Sequence, residues 1–401
     1  MLKKLTSILA ILVATSCTAS STQTLPISSA VSPTLSRRES FQASKWTKVP
    51  PIKAPGLGPD KQEVGWNGGL LLASSTGSGN EGRDEGVYAS KDGLNWHRAT
   101  PEKMIDCYSC NRIVAGYGEA AYLLGWNSHN RLVVWRTENG EAWKAIPLTM
   151  EDLNVDSPIG IRTTIAAGPF GVIVVGYDTY YPDNYHGVYV WHSYDGRVFD
   201  MKKIPYPPDE MSCCAVAEAT PHGFLLSMSY SGGTRVLSSQ DAVHWQGIGA
   251  DLKQVDAVQH MSGNASTVVA FPYNPKPGEP QVWYHREGVW RPGTIDPGQL
   301  PDAGVVPASE RRINAVHNWG SGFIAIGDTA VGETQEDAGL VWYSVDGSSW
   351  TRMPVRENEF DTTWALMDVA IYKNIAVLVG CRPEPGYFII WRANAPQVPK
   401  F

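Results

Sequence analysis

The phrase SKDGLNW at residues 90–96 returns along the chain as TENGEAW (137–143), SYDGRVF (193–199), SQDAVHW (239–245) and SVDGSSW (344–350), with HREGVW (285–290) as a degraded copy. A motif repeated at this frequency restricts the chain to architectures built from one repeating unit. In four copies the central pair is Asp92-Gly93, Asn139-Gly140, Asp195-Gly196 or Asp346-Gly347. Both residue types tolerate positive φ, so each phrase predicts a two-residue type I′ hairpin. Asp241-Ala242 and Glu287-Gly288 weaken that signal, and wider turns are expected there.

Upstream of each turn lies a short apolar run, such as YLLGWN (122–127), VIVVGYD (172–178), FIAIGD (323–328) or IAVLVGC (375–381). Before each run comes one more, for example RIVAGYG (112–118) and RINAVHN (312–318). Runs of this length, rich in β-branched residues and bounded by turn residues, predict strands. Each unit is therefore four strands. The aromatic residues that close the phrases, Trp96, Trp143, Phe199, Trp245, Trp290 and Trp350, recur at intervals of 45 to 60 residues. Four strands at about that period predict propeller blades.

The tryptophans keep the same register. Trp46, Trp96, Trp143, Trp245, Trp290 and Trp350 open fourth strands, and Trp135, Trp191, Trp283, Trp342 and Trp391 sit in third strands, which assigns them to packing between blades. A seventh unit, from about residue 364 to 396, has only three strands. Its fourth is supplied by WTKVP (46–50), which matches WTRMP (350–354) and WKAIP (143–147). The expectation is an all-β, seven-bladed propeller over residues 46–401, closed by its N-terminal strand so that no sheet edge is left open.

The N-terminus reads differently. Lys3 and Lys4 precede the apolar run Leu5–Val13, and small residues lead to Cys17. This is the pattern of an export signal over residues 1–16, and the run is shorter than a membrane span. The sequence ATSC (14–17) resembles a lipoprotein processing site, which makes Cys17 the expected lipidated residue; ordinary cleavage after Ser16 or Ala19 is the alternative. The stretch that completes residues 17–45 is rich in Ser and Thr and poor in apolar residues, so a tether is expected. The protein is thus expected to be exported and held at the cell envelope by lipid alone. Charged residues make up 18% of the chain and the net charge is −7, with no basic cluster. Nucleic-acid binding is disfavoured on that ground.

The repeat Ser90-x-Asp92-Gly93-x-x-Trp96 and its copies at Asn139 and Trp143, Asp195, Asp241 and Trp245, and Asp346 and Trp350 resemble the Asp-box, or bacterial neuraminidase repeat, over nearly all of residues 46–396. Sialidases, xyloglucanases, sortilin-type receptors and photosystem-assembly lipoproteins carry it. The interval between Asp and Trp is one residue shorter here than in the sialidase form. The resemblance implies a propeller whose boxes are structural turns on the face away from any site. It does not choose between enzyme and binder.

Chemistry is expected on the opposite face, where first strands begin and second-to-third connections emerge. Long connections occur at 74–86, 177–187 and 328–339. The second is the most aromatic, and Tyr180, Tyr181, Asp183, Tyr185 and His186 are candidate contacts for a carbohydrate or protein partner, because tyrosine joins an apolar face to a polar tip. Their mutual packing into a surface loop is the alternative. Arg112, Arg162 and Arg312 align near the channel mouth, and three guanidinium groups there could hold an acidic ligand. Separate solvated or ion-paired arginines are the alternative. Sialidases use an arginine triad, but their Arg-Ile-Pro motif is absent and seven blades exceed their six. Asp60, Glu63, Asp106, Glu218, Asp256 and Asp361 are carboxylates that could face the channel and supply an acid pair for glycoside hydrolysis.

Cys107, Cys110, Cys213 and Cys214 precede first strands on the same face, and in an exported chain disulfides are the default. A Cys107–Cys110 bridge is sterically easy, a Cys213–Cys214 bridge is strained, and pairing between the two loops stays open. Adjacent cysteines are awkward zinc ligands, so no metal is expected. No phosphate loop, zinc-protease helix, nucleophile elbow or calcium loop is present in the sequence, and no cofactor is expected. Two functions follow: a monomeric, non-catalytic envelope propeller that binds a protein or glycan partner on its loop face, or a sialidase-like glycoside hydrolase acting on acidic glycans. The catalytic residues of the second are not identified by the sequence.

Overall fold

The computed structural model describes residues 46–48, 52–53, 61–67, 69–76, 86–101, 113–126, 131–149, 161–178, 188–204, 211–296, 299–300, 304–305, 311–320, 322–329, 339–353, 365–372, 375–381 and 387–394. The expected export signal, Cys17 and the tether lie outside them. Every described regular element is a strand, and the strands form seven antiparallel blades arranged in a ring, a seven-bladed β-propeller, with Thr294–Ile295 added in parallel to the outer strand Ser349–Arg352 and Gln299–Leu300 and Gly304–Val305 paired apart from the blades. Blade I comprises Lys61–Trp66, Leu71–Thr76, Val87–Ser90 and His97–Arg98, and blade II Ile113–Tyr117, Ala120–Trp126, Leu132–Thr137 and Trp143–Pro147. Blades III and IV run from Ile161–Gly168 to Asp200–Ile204 and from Met211–Thr220 to Gln246–Gly247, and blade V from Val258–Gly263 to Val289–Pro292. Blade VI runs from Arg311–Trp319 to Ser349–Arg352.

Blade VII is completed from both ends of the domain. Ala365–Tyr372, Ile375–Cys381 and Tyr387–Asn394 are followed in space by Thr47–Lys48, with Thr47 opposite Arg392 and Lys48 opposite Trp391. Ile52–Lys53 continues along the same strand, opposite Phe388 and Tyr387. Trp46, just ahead of this closing strand, is buried against Trp319 of blade VI, the ring centroids 6.3 Å apart.

Alternation of side chains along each strand sends apolar residues to both faces of every blade, because each sheet has a blade on either side. The result is one apolar cluster at every junction of the ring. Tyr122, Trp191 and Val174 join blades II and III, Val175 and Phe224 join III and IV, and Phe271 and Trp342 join V and VI. Trp391 and Ile324 join VI and VII, and Leu71 and Val377 join VII and I. Indole N–H groups reach across the same junctions. Trp191 donates to the Thr149 carbonyl and Trp342 to the Asp296 carbonyl, each in the segment leaving the preceding blade. Trp245 and Trp350 instead donate to the Ala242 and Gly347 carbonyls of their own turns. These contacts agree with the packing role expected of the tryptophans.

The turns differ from the type I′ expectation. Thr137 pairs with Trp143, so five residues separate the strands rather than two. Only the glycine of each Asp-Gly or Asn-Gly pair has positive φ, for example 71° at Gly93 and 78° at Gly140. The Asp or Asn side chain organises the wider loop. Asp92 accepts hydrogen bonds from the Leu94 and Asn95 amides, both at 2.8 Å, while Ser90 accepts from the Gly93 amide. Those bonds to the ionised form hold Asp92 well below the usual carboxylate range, led by the Asn95 amide. Asp241 repeats the arrangement with Ala242 at φ 57°. The degraded fifth copy, for which a wider turn was expected, is the two-residue turn: Arg286 pairs with Val289 around Glu287 and Gly288, both at positive φ. An Asp or Asn side-chain oxygen two residues after a hydroxyl captures backbone N–H groups and so favours the longer loop; where that pair is missing, the short turn wins. Asp241→Ala is expected to lower the unfolding free energy by about 1 kcal/mol in urea denaturation, a modest loss because the loop is exposed. Unchanged stability would make the carboxylate incidental to the turn.

Candidate functional site

The first strand of each blade faces the central channel, which opens on two faces. Toward the second-to-third strand connections lies a cavity of about 440 Å³, walled by residues that include Thr163, Gln259, Asn314 and Met367. Toward the phrase turns lies one of about 490 Å³, bounded by the ends of the same strands at Trp66, Tyr117 and Tyr372. Glu218 and His317 border both, and so sit where the two meet.

Three charged side chains from three blades converge there. His317 of blade VI presents Nδ1 to Glu218 Oε1 of blade IV at 3.4 Å and Nε2 to Asp368 Oδ1 of blade VII at 3.9 Å. Asp368 is itself anchored. Its Oδ2 accepts the Val64 amide of blade I at 2.9 Å, and its Oδ1 accepts the Val369 amide at 2.7 Å. Burial opposes a charge on His317, but the Glu218 carboxylate and the nearby Asp368 carboxylate outweigh it and raise the imidazole to about 10. Burial pulls Glu218 upward, and the imidazolium works against that shift. His260 of blade V has the opposite character. Burial, aided by the positive His317, lowers it to about 4, and its Nε2 has no hydrogen-bond partner among the described residues. The channel therefore holds one imidazolium between two carboxylates and one neutral imidazole.

An acid pair for glycoside hydrolysis needs one carboxyl that gives a proton to the leaving group and a second that attacks the sugar or activates water. Here the described channel carboxylates bind the same imidazolium, and one also caps two backbone amides. That arrangement is suited to pinning blades I, IV, VI and VII together. Among the described residues, no group of three or more His, Cys, Asp or Glu side chains is arranged to hold a metal ion.

Of the carboxylates named from sequence, Glu218 lies in the channel, Glu63 is in the first strand of blade I, and Asp256 is an exposed residue 3.7 Å from Lys276. Asp60, Asp106 and Asp361 lie outside the described residues. Arg312 is exposed at the loop-face end of the blade VI first strand, its backbone opposite Asp328. Arg162 occupies the corresponding end in blade III, opposite Tyr177, which places the two strands three blades apart around the ring. Arg112 lies outside the described residues, as do Tyr180, Tyr181, Asp183, Tyr185, His186, Cys107 and Cys110. Cys213 and Cys214 fall within the first strand of blade IV, where the register shifts between Met211 and Ala215. His317, Asp368 and His260 were missed by the sequence reading. One signal for Asp368 was present: it is the single charge in the otherwise apolar strand ALMDVAIY.

No protein-family model matches this chain, and no curated protein matches it in sequence. Solved structures do. Puromycin hydrolase superposes with a TM-score of 0.51 at 10% identity, covering 88% of this chain and 58% of its own. The propeller domain of the Trilobed protease from Pyrococcus furiosus gives 0.49 at 9% identity, over 87% of this chain and all of that one. The subtype N11 neuraminidase-like protein of an A/flat-faced bat/Peru isolate gives 0.43 at 9%, covering 88% and 94%. At such identities the likeness is one of fold alone.

Proposed function

We propose that the protein is a non-catalytic propeller that captures a protein or glycan partner on the face carrying its second-to-third strand connections, exported and tethered to the envelope through lipid on Cys17. The observation that carries this reading is the state of the channel acids. Glu218 and Asp368 flank His317 at 3.4 and 3.9 Å, so neither is disposed as a free acid or nucleophile. The propeller framework holds without any catalytic group. Its Asp-box-like turns cap loops on the face opposite the proposed contact surface, leaving the long connections around residues 74–86, 177–187 and 328–339 to make contacts. Tyr180, Tyr181, Asp183, Tyr185 and His186 are the proposed contact residues, with Arg112, Arg162 and Arg312 as donors to any acidic group on the partner.

The test has two arms. Fluorogenic sialosides and neutral β-glycosides are expected to show no turnover above buffer with the purified protein. Sialylated oligosaccharides or envelope proteins cross-linked to it are expected to be retained by the native chain and lost from a Tyr180→Ala, Tyr181→Ala double variant. Turnover that disappears in Glu218→Gln would overturn the reading and restore the hydrolase.

A further inference from the structure

On the face of the phrase turns, away from the proposed partner surface, blades II and III leave between them a cleft of about 310 Å³. That is near the lower end of small-molecule sites. Two tyrosines flank it. Tyr117 ends the first strand of blade II and is 46% exposed; Tyr194 lies in the blade III turn and is 73% exposed. The turn does not require an aromatic at that position, since its counterparts are Lys91, Glu138, Gln240 and Val345. Tyr194 is nevertheless held in place, its ring edge-on to His192 with centroids 4.3 Å apart. A ring braced on one side and left in water is a platform whose apolar face is still available for burial.

Between the rings the wall is polar. Arg136 is largely buried and donates from Nη1 to Glu138 at 2.7 Å, while its Nε has no partner among the described residues. Beside it stands Tyr122, whose burial raises the phenol so that the hydroxyl keeps its proton. Gly196 makes room for that hydroxyl, since a Cβ there would collide with it. Arg197 and Glu119 complete the rim. Asp195, also at the edge, is committed to its turn through the Arg197 amide at 2.8 Å. Cations and carboxylates are nearly balanced, so no strongly charged ligand is favoured. Flanking aromatic faces, guanidinium donors and a carboxylate acceptor together suit a ring that offers C–H surface on its faces and hydroxyls around its edge.

We propose that this cleft is a saccharide site that takes a neutral hexopyranose between Tyr117 and Tyr194, with its hydroxyls bound by Arg197 and Glu119. It does not rest on the loop-face reading, and the two fail separately. Saturation-transfer NMR on the full chain with methyl glucopyranoside, methyl galactopyranoside and methyl mannopyranoside tests it. Transfer to the ring protons of at least one glycoside is expected. It should fall at least fivefold in Tyr117→Ala and in Tyr194→Ala, both exposed substitutions whose melting should match the native chain, and persist in the Tyr180→Ala, Tyr181→Ala variant. The proposal is overturned by no transfer from any of the three. It is equally overturned by transfer that survives both cleft substitutions, or by Tyr194-dependent transfer confined to an acidic probe such as methyl sialoside.

Discussion

Deleting residues 46–53 is expected to lower the unfolding free energy by at least about 4 kcal/mol and to make the domain prone to association. Loss of a buried Trp side chain alone accounts for about 3–5 kcal/mol, and Trp46 is buried against Trp319 at the junction of blades VI and VII. The deletion also removes the strand pairs of Thr47 and Lys48 with Arg392 and Trp391. Tyr387–Asn394 would then become an open edge, free to pair with another chain. Chemical denaturation and light scattering of the truncated protein measure both effects. A truncation that melts with the native chain and stays monomeric would mean that the ring closes by apolar packing between blades without the strand.

The second large effect concerns the channel. Replacing His317 with Leu is expected to destabilise the fold by about 3 kcal/mol, because it leaves two carboxylates facing each other with no cation between them. The lower part of the range for broken buried pairs applies, since the channel admits water to the side chain. The pH dependence separates charge from packing. His317 is raised in the folded state from an ordinary value of 6.5 to about 10. The native form therefore binds more protons than the unfolded chain between those values, so its contribution is complete below pH 6.5 and fades as pH climbs toward 10. His260, lowered to about 4, acts on the other side. Its contribution is complete above pH 6.5 and is lost as pH falls toward 4. Stability of the native protein should therefore peak near neutrality, and His317→Leu should remove most of the alkaline slope while only weakening the acid one, because burial is the larger cause of the His260 shift. An unaltered alkaline slope in that variant would place the titrating group elsewhere.

Much of the architecture was legible without coordinates because its signals are local. An apolar run, a turn phrase and another run encode a hairpin from residues close in the chain, and repetition at blade spacing encodes the ring. The match of WTKVP to WTRMP even exposed the closing strand, since equivalent strands meet equivalent neighbours and carry similar residues. Turn width escaped the same reading. Asp92-Gly93 has the composition of a two-residue turn, but the Ser90 hydroxyl and Asp92 carboxylate hold backbone amides that a short turn would leave elsewhere.

The sequence by itself determined the fold class, the seven units, the strand that closes them and the tryptophans that pack between them. Only the tertiary structure decided which residues meet in the channel and at the cleft between blades II and III. Along a first strand, channel-facing and blade-facing positions alternate with a period of two, and a single bulge exchanges them. Irregular registers fall between Met211 and Ala215, Ile313 and Ala315, and Leu366 and Asp368, in the three strands that carry Glu218, His317 and Asp368. The one-residue bulges before Ala315 and Asp368 exchange the two kinds of position in the strands that carry His317 and Asp368, and their placement follows from how whole blades pack, which no local stretch of sequence contains.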